Sequence, residues 1–390
     1  MQKKSIVQKN YTILDYVTWR GDVSFNESPL NEVDTLIFSQ LSYIKYKGFI
    51  GNEFDKKSQY TFKDAYDYFE KVGAYTALSR SDVDSVSEKI DGNPLDSIEI
   101  GELLKRVAHS KRYADILLYG HVDILDDENE KQFSAIFLKM NPKEGCVVYR
   151  GTDETLIGWK EDFNMAYMSP VPAQTDAVVY LENCAKFFKG KLHILGHSKG
   201  GNLAVYASAF CDKKIKDRIV SIENFDGPGF QKNILDTRDF DSVCSRIKTY
   251  VPQHSIIGML LGHEEEVIVI KSEKKGFSQH NPFHWCIQVN NFVWEDLSLS
   301  SKKIDKSIKF WLEDVTLGKR ALFINTLFSM MESADIEHIA DFSENKAKLA
   351  LSAIKTLTTL DKEERNQLVD TIQSLFKSFI DLYEEEEKLL

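Results

Sequence analysis

Hydrophobic and polar positions follow three different rhythms along the chain. Up to about residue 133 the texture is polar and the spacing mainly helical. Thr35-Leu36-Ile37-Phe38-Ser39-Gln40-Leu41-Ser42-Tyr43-Ile44 follows Asn31-Glu32-Val33-Asp34, a helix start with an acid near the N-cap. Phe62, Tyr66, Phe69 and Tyr75 predict a second helix over 62–78. Ile100, Leu103, Leu104 and Val107 predict a third over 98–107, and Asp91-Gly92-Asn93-Pro94 a loop before it.

From about 134 to 295 short apolar runs alternate with glycine turns and helical stretches. Strands are predicted at 134–140 and 146–149, joined by the turn Asn141-Pro142-Lys143-Glu144-Gly145. A helix at 174–188, a strand at 191–195, a helix at 201–210 and strands at 219–224, 247–251 and 267–271 follow. Such alternation implies a mostly parallel sheet covered by helices. From about 300 to 390 the pattern is helical throughout. Leu368, Ile372, Leu375, Phe376, Phe379, Leu382 and Tyr383 form one apolar stripe, expected to close back on its own chain. Glu384 to Glu387 reads as a solvated end. The expected division is a mainly helical N-terminal part (1–133), a catalytic core (134–295) and a helical extension (300–390).

Composition narrows the function classes. The chain has 390 residues, 43% of them hydrophobic, and a formal charge of −11. That balance suits a folded soluble protein and opposes general nucleic-acid binding, which needs basic faces. Cys146, Cys184, Cys211, Cys244 and Cys286 show no C-x-x-C spacing, so no metal is expected and the thiols are read as buried and free. The N-terminal residues lack an apolar signal region, and no window reaches the ~18 apolar residues of a membrane span. A cytoplasmic location is the expectation.

One motif carries chemistry. Leu192-His193-Ile194-Leu195 runs into Gly196-His197-Ser198-Lys199-Gly200-Gly201 and then Asn202-Leu203-Ala204-Val205-Tyr206-Ala207. This is strand, G-x-S-x-G, helix. A serine on a sharp strand-to-helix turn is strained and lifted above the sheet edge, and its neighbours must lack bulk. The turn aims the next backbone N–H, that of Lys199, at an oxyanion.

A serine hydroxyl needs a base, which in this architecture follows it in sequence. His254, His263, His280 and His284 qualify. His280 is preferred, because it lies in a loop beyond the strand at 267–271, whereas His284 precedes Trp285 and reads as packing. His197 is expected to point away and pack. Asp226 ends the strand Val220-Ser221-Ile222-Glu223-Asn224-Phe225 and fits the acid, or else caps a turn. The junction Tyr149-Arg150-Gly151-Thr152 offers a second oxyanion donor, Thr152, through its N–H and its hydroxyl. Trp159, Phe163 and Met165, within Trp159-Lys160-Glu161-Asp162-Phe163-Asn164-Met165, have the composition of a flap over an apolar pocket, or of an amphipathic surface segment.

Tyr149-Arg150-Gly151-Thr152 and Gly196-His197-Ser198-Lys199-Gly200-Gly201 resemble segments of class 3 lipases. The chain is more closely similar to an uncharacterised bacterial family of α/β-hydrolase type. That resemblance runs over about residues 10–290 through Trp19-Arg20-Gly21-Asp22, Asn31-Glu32-Val33-Asp34, Arg150-Gly151-Thr152-Asp153, the 159–165 segment, Asn224-Phe225-Asp226-Gly227-Pro228-Gly229-Phe230 and Tyr250-Val251-Pro252-Gln253. It implies an α/β-hydrolase fold, Ser198 as nucleophile, Thr152 with the Lys199 N–H as oxyanion hole, and a catalytic histidine in the His280 loop. The acid departs from the lipase pattern. The lipase position falls near His254-Ser255, which holds no carboxylate, so Asp226 is a displaced acid or the acid is absent.

The resulting expectation is a cofactor-free serine hydrolase acting on small-molecule or lipid-like acyl esters. Two alternatives share the scaffold: a hydrolase fold that binds or regulates without turnover, and an acyltransferase.

Overall fold

The computed structural model describes residues 10–76, 95, 97–153, 155–334 and 346–387. The 91–94 loop lies outside them, as do the last residues of the 62–78 helix. Among the described residues, four helices belong to the N-terminal part: α1 (Ile13–Arg20), α2 (Glu32–Leu41), α3 (Phe62–Lys71) and α4 (Ile98–Ala108). The α2 start is a capping box. Asn31 Oδ1 accepts from the Val33 and Asp34 N–H groups, and Asp34 accepts from the Asn31 N–H at 3.0 Å.

One sheet of eight strands follows in strict chain order: β1 (Tyr60–Thr61), β2 (Leu117–Asp126), β3 (Lys131–Lys139), β4 (Glu144–Tyr149), β5 (Lys191–His197), β6 (Ile219–Phe225), β7 (Ile247–Pro252) and β8 (Glu266–Ile270). The first three pairings are antiparallel and the last four parallel. Strand β2 departs from the sequence reading, which placed it in the mainly helical part. Its alternation is broken by a register shift between Tyr119 and Val122, where Gly120 has φ +59.

Crossovers between consecutive parallel strands are right-handed and put their helices on one face. These helices are α5 (Leu156–Asn164), α6 (Pro172–Phe187), α7 (Lys199–Phe210) and α8 (Arg238–Cys244). Ala177, Leu181, Leu203 and Val243 from α6, α7 and α8 meet Val147, Ile194 and Ile222 of the sheet in one buried cluster. The opposite face of the sheet is closed by the N-terminal helices. Ile13, Leu36, Phe69 and Leu103 share a second cluster with Ile136, Val148, Leu195 and Tyr250. The N-terminal helices therefore supply half the cover of the sheet.

A two-stranded β9 (Ile287–Gln288) and β10 (Asn291–Phe292) closes the core. Helices α9 (Leu299–Asp314), α10 (Leu317–Glu332), α11 (Lys346–Thr359) and α12 (Lys362–Glu387) complete the chain. In α12, Leu368 is buried, and Thr371 O accepts from the Trp311 indole N–H of α9 at 3.2 Å. Among the described residues no helix is long and apolar enough to cross a membrane.

Candidate active site

The parallel register sets the site. Tyr149 pairs with Gly196, and His197 with Phe225, so β4, β5 and β6 end side by side. Thr152, Ser198 and Asp226 follow directly from these ends. Carboxyl ends of parallel strands are where open α/β sheets place ligands.

Ser198 sits between β5 and α7 with φ 58 and ψ −133. That left-handed conformation costs a non-glycine residue roughly 1–3 kcal/mol. It persists because the surroundings leave no alternative. The Ser198 N–H is held by the Phe225 carbonyl at 2.9 Å, and a Cβ at Gly200 would strike the Tyr149 carbonyl oxygen. Ser198 is 8% exposed, and among the described residues its hydroxyl has no hydrogen-bond partner.

Asp226 is buried and also has positive φ, 52. Its Oδ2 accepts from His280 Nδ1 at 2.7 Å. Its Oδ1 accepts from the Ser255 hydroxyl at 2.5 Å and the Gly258 N–H at 3.2 Å. The carboxylate can only accept, so His280 Nδ1 carries the hydrogen and Nε2 keeps a lone pair. Ser255 thus binds Asp226 from the loop that follows β7. A cavity of about 10 Å³, room for about one water, lies against Asp226, His254, Ser255 and His280.

His263 Nδ1 pairs with Glu265 at 2.8 Å, and Glu265 also accepts from Thr249 Oγ1. His254 lines the small cavity. His197 does more than pack. Its Nε2 donates to the His280 carbonyl at 2.8 Å, and its Nδ1 therefore accepts from the Tyr43 hydroxyl at 2.9 Å. Burial, reinforced by the neighbouring His280, pushes the His197 pKa well below its ordinary value. This neutral ring ties the His280 backbone to the residue preceding Ser198. Tyr43 follows α2, and a Cβ at Gly151 would collide with its hydroxyl and press on Ser198 Cβ, so the N-terminal part reaches the site wall.

The two candidate backbone donors, the N–H groups of Lys199 and Thr152, have no backbone acceptor among the described residues. The Lys199 N–H opens α7 and has no intrahelical acceptor. The Thr152 hydroxyl is not a second donor, contrary to the sequence reading. It donates to Asp162 Oδ2 at 2.5 Å.

The 159–165 segment is fastened rather than loose. Glu161 is fully buried, 3.0 Å from Lys199 Nζ, and accepts from the Gln132 and Ala173 N–H groups. Met165 is buried with Val171 and Leu261. Trp159 packs on the cluster of Leu156, Ile324 and Phe328, and the Phe163 ring meets Phe328 at 5.5 Å. Lys160 bridges Glu130 and Glu332, and Arg320 donates to the Ala166 carbonyl. These contacts hold the segment between the elbow and α10.

Sequence reasoning missed Tyr43, Ser255, Glu161 and the Lys199 side chain. Each lay in a stretch already quoted for another reason: Tyr43 in the 35–44 helix, Ser255 beside His254, Glu161 in the 159–165 run and Lys199 in the elbow. Among the described residues no cluster of three or more His, Cys, Asp or Glu side chains could hold a metal ion.

A serine raised on a strand–turn–helix at the carboxyl edge of a parallel sheet marks α/β-hydrolases, and this domain is one. The sequence then narrows the class. The chain belongs to the Mbeg1-like family, a lipase-like family, whose profile matches residues 107–329. Solved structures also resemble it at low identity. The native Rhizomucor miehei lipase propeptide complex is 14% identical over 55% of this chain and 70% of that one, with a TM-score of 0.33. A fungal lipase–inhibitor complex, described as a basis for interfacial activation, is 13% identical over 55% and 82%, with a TM-score of 0.33. A mutant form of MDLA from Penicillium cyclopium is 10% identical over 61% and 89%, with a TM-score of 0.31. No curated protein matches the sequence.

Proposed function

We propose that this lipase-like hydrolase is a serine esterase that cleaves acyl esters, lipid-like ones among them, through an acyl-enzyme. The observation that carries the reading is the 2.7 Å bond from His280 Nδ1 to Asp226, beside a serine held at φ 58 on the elbow. His280 Nε2 takes the Ser198 proton as Oγ attacks the ester carbonyl. The Lys199 and Thr152 N–H groups receive the oxyanion. Asp226 fixes the His280 tautomer and stabilises the imidazolium. His280 then protonates the leaving alcohol and later deprotonates the water that releases the acid.

A binding protein on the same scaffold is favoured by one observation, the unpartnered Ser198 hydroxyl at 8% exposure. A fluorophosphonate probe separates the two. The intact protein should be labelled covalently, and Ser198→Ala should not. Absence of labelling, or equal labelling of the variant, overturns the hydrolase reading.

A further inference from the structure

Lys199 follows the nucleophile, and only its backbone enters the mechanism above. Its side chain is the unexplained feature. It is 1% exposed, and its ammonium is held by Gln132 O at 2.9 Å, Gln132 Oε1 at 2.8 Å and Glu161 Oε2 at 3.0 Å. A second carboxylate oxygen, Asp162 Oδ1, lies 3.7 Å away and has no hydrogen-bond partner. The other oxygen of Asp162 holds the Thr152 hydroxyl. A chain of contacts thus leaves the elbow through Lys199, passes α5, and returns to the second oxyanion donor.

Packing alone does not account for this. An apolar side chain would fill the space without taking an ammonium out of water, which costs several kcal/mol unless it is paired. The charge count gives a reason. Glu161 and Asp162 are adjacent on α5, and among the described residues Lys199 from α7 is the one cation within 4 Å of either carboxylate. Without it, two carboxylates would stand behind a pocket that must receive negative charge, and Asp162 would lose its hold on Thr152. Burial already raises the Asp162 carboxyl to about 6, against the downward pull of Lys199 and the Thr152 hydroxyl.

We propose that the Lys199 ammonium is a positioning group of the oxyanion pocket: it offsets one of the two negative charges of the Glu161–Asp162 pair and so keeps Asp162 on the Thr152 hydroxyl and the Thr152 N–H aimed beside its own. This rests on the serine-hydrolase reading of the site. The two N–H groups then converge because one side chain belongs to the first donor's residue and binds the anchor of the second. Helix α5 is pinned by the same contact.

The test is fluorophosphonate labelling of the full chain, with the maximal labelling rate separated from probe affinity. Two neutral replacements are compared with wild type, and circular dichroism checks that each is folded. K199M/E161Q conserves volume; K199Q/E161Q retains polar groups at both positions and carries the readout if the first does not fold. Each should lower the maximal rate about tenfold or more, with probe affinity nearly unchanged, because the loss falls on the transition state. Adding D162N removes the stranded charge while keeping an acceptor for Thr152, and should recover at least about a third of the lost rate. A folded neutral pair that labels at the wild-type rate overturns the proposal, as does failure of D162N to recover any of it. An unlabelled wild type overturns the hydrolase reading and this inference with it; a labelled wild type with an indifferent Lys199 removes this inference alone.

Discussion

Two buried carboxylates, Asp34 under the N-terminal helices and Asp226 at the sheet edge, answer burial in opposite ways. Asp34 meets Arg112 with both side chains fully inaccessible. Arg112 uses all its donors: Nε and Nη2 on Asp34, Nη1 on the Val23 and Ser28 carbonyls, and Nη2 again on that of Pro29. Tyr113 and the Asn31 N–H add to the same carboxylate. Every polar group in that lock is consumed. Asp226 instead binds a histidine by one ring nitrogen and leaves the other uncommitted, and the histidine side chain is 22% exposed. A saturated pair can only hold parts together; a pair with one open valence can move a proton.

The strongest way to break this contrast is Asp226→Asn. The asparagine oxygen can still accept from Ser255 and Gly258, so the fold should survive with a melting temperature within a few degrees of wild type. Its amide would face His280 Nδ1 and force the hydrogen onto Nε2, leaving no base for Ser198. Ester hydrolysis and probe labelling should fall about ten thousandfold. Retained activity would mean that Asp226 is as structural as Asp34.

Arg112→Met attacks the other member. It leaves the Asp34 carboxylate buried with its main partner gone, which costs about 3–5 kcal/mol. Chemical denaturation should show that loss in the midpoint. Labelling of the protein that remains folded should match wild type, since Arg112 touches nothing at the site. A large drop in the labelling rate of folded protein would show that the lock reaches Ser198, and the contrast would fail.

The same contrast explains what could be read from the sequence. The elbow was legible because its demand is local: Gly196 and Gly200 flank Ser198 in a fixed spacing, and a small-residue helix follows. The candidate acid and base were legible from their places after β6 and β8. Strand β2 was hidden, because the irregularity between Tyr119 and Val122 breaks its alternation. The N-terminal helices read as a separate texture, although they cover one sheet face, because their contacts join residues far apart in the chain, as in Arg112 with Asp34 or Tyr43 with His197. Lys199 was read for its N–H alone; Gln132 and Glu161, which hold its side chain, lie well upstream. Local backbone geometry leaves a signature in sequence, whereas long-range pairing of charges does not.

A third buried carboxylate sharpens the comparison, with a smaller effect. Glu223 lies on β6, three residues before Asp226, and its Oε2 has no hydrogen-bond partner. Burial raises its carboxyl from 4.5 to about 7, against the opposing pull of the nearby Ser221 and Thr35 hydroxyls and of Lys248. The folded state therefore holds a proton that the unfolded chain releases near pH 4.5. Stability from this group is fully present below about 4.5 and is lost as pH rises through about 7, by up to about 3 kcal/mol. His121 and His193 act in the opposite sense: burial lowers both to about 4, so their contribution is lost as pH falls below about 6.5. Their effect cancels when wild type is compared with Glu223→Gln at each pH. The variant should match wild type near pH 4.5 and exceed it above pH 7, with the difference opening between those values in denaturant midpoints. A difference that does not vary with pH would mean that Glu223 finds a partner in solution and belongs with the saturated Asp34.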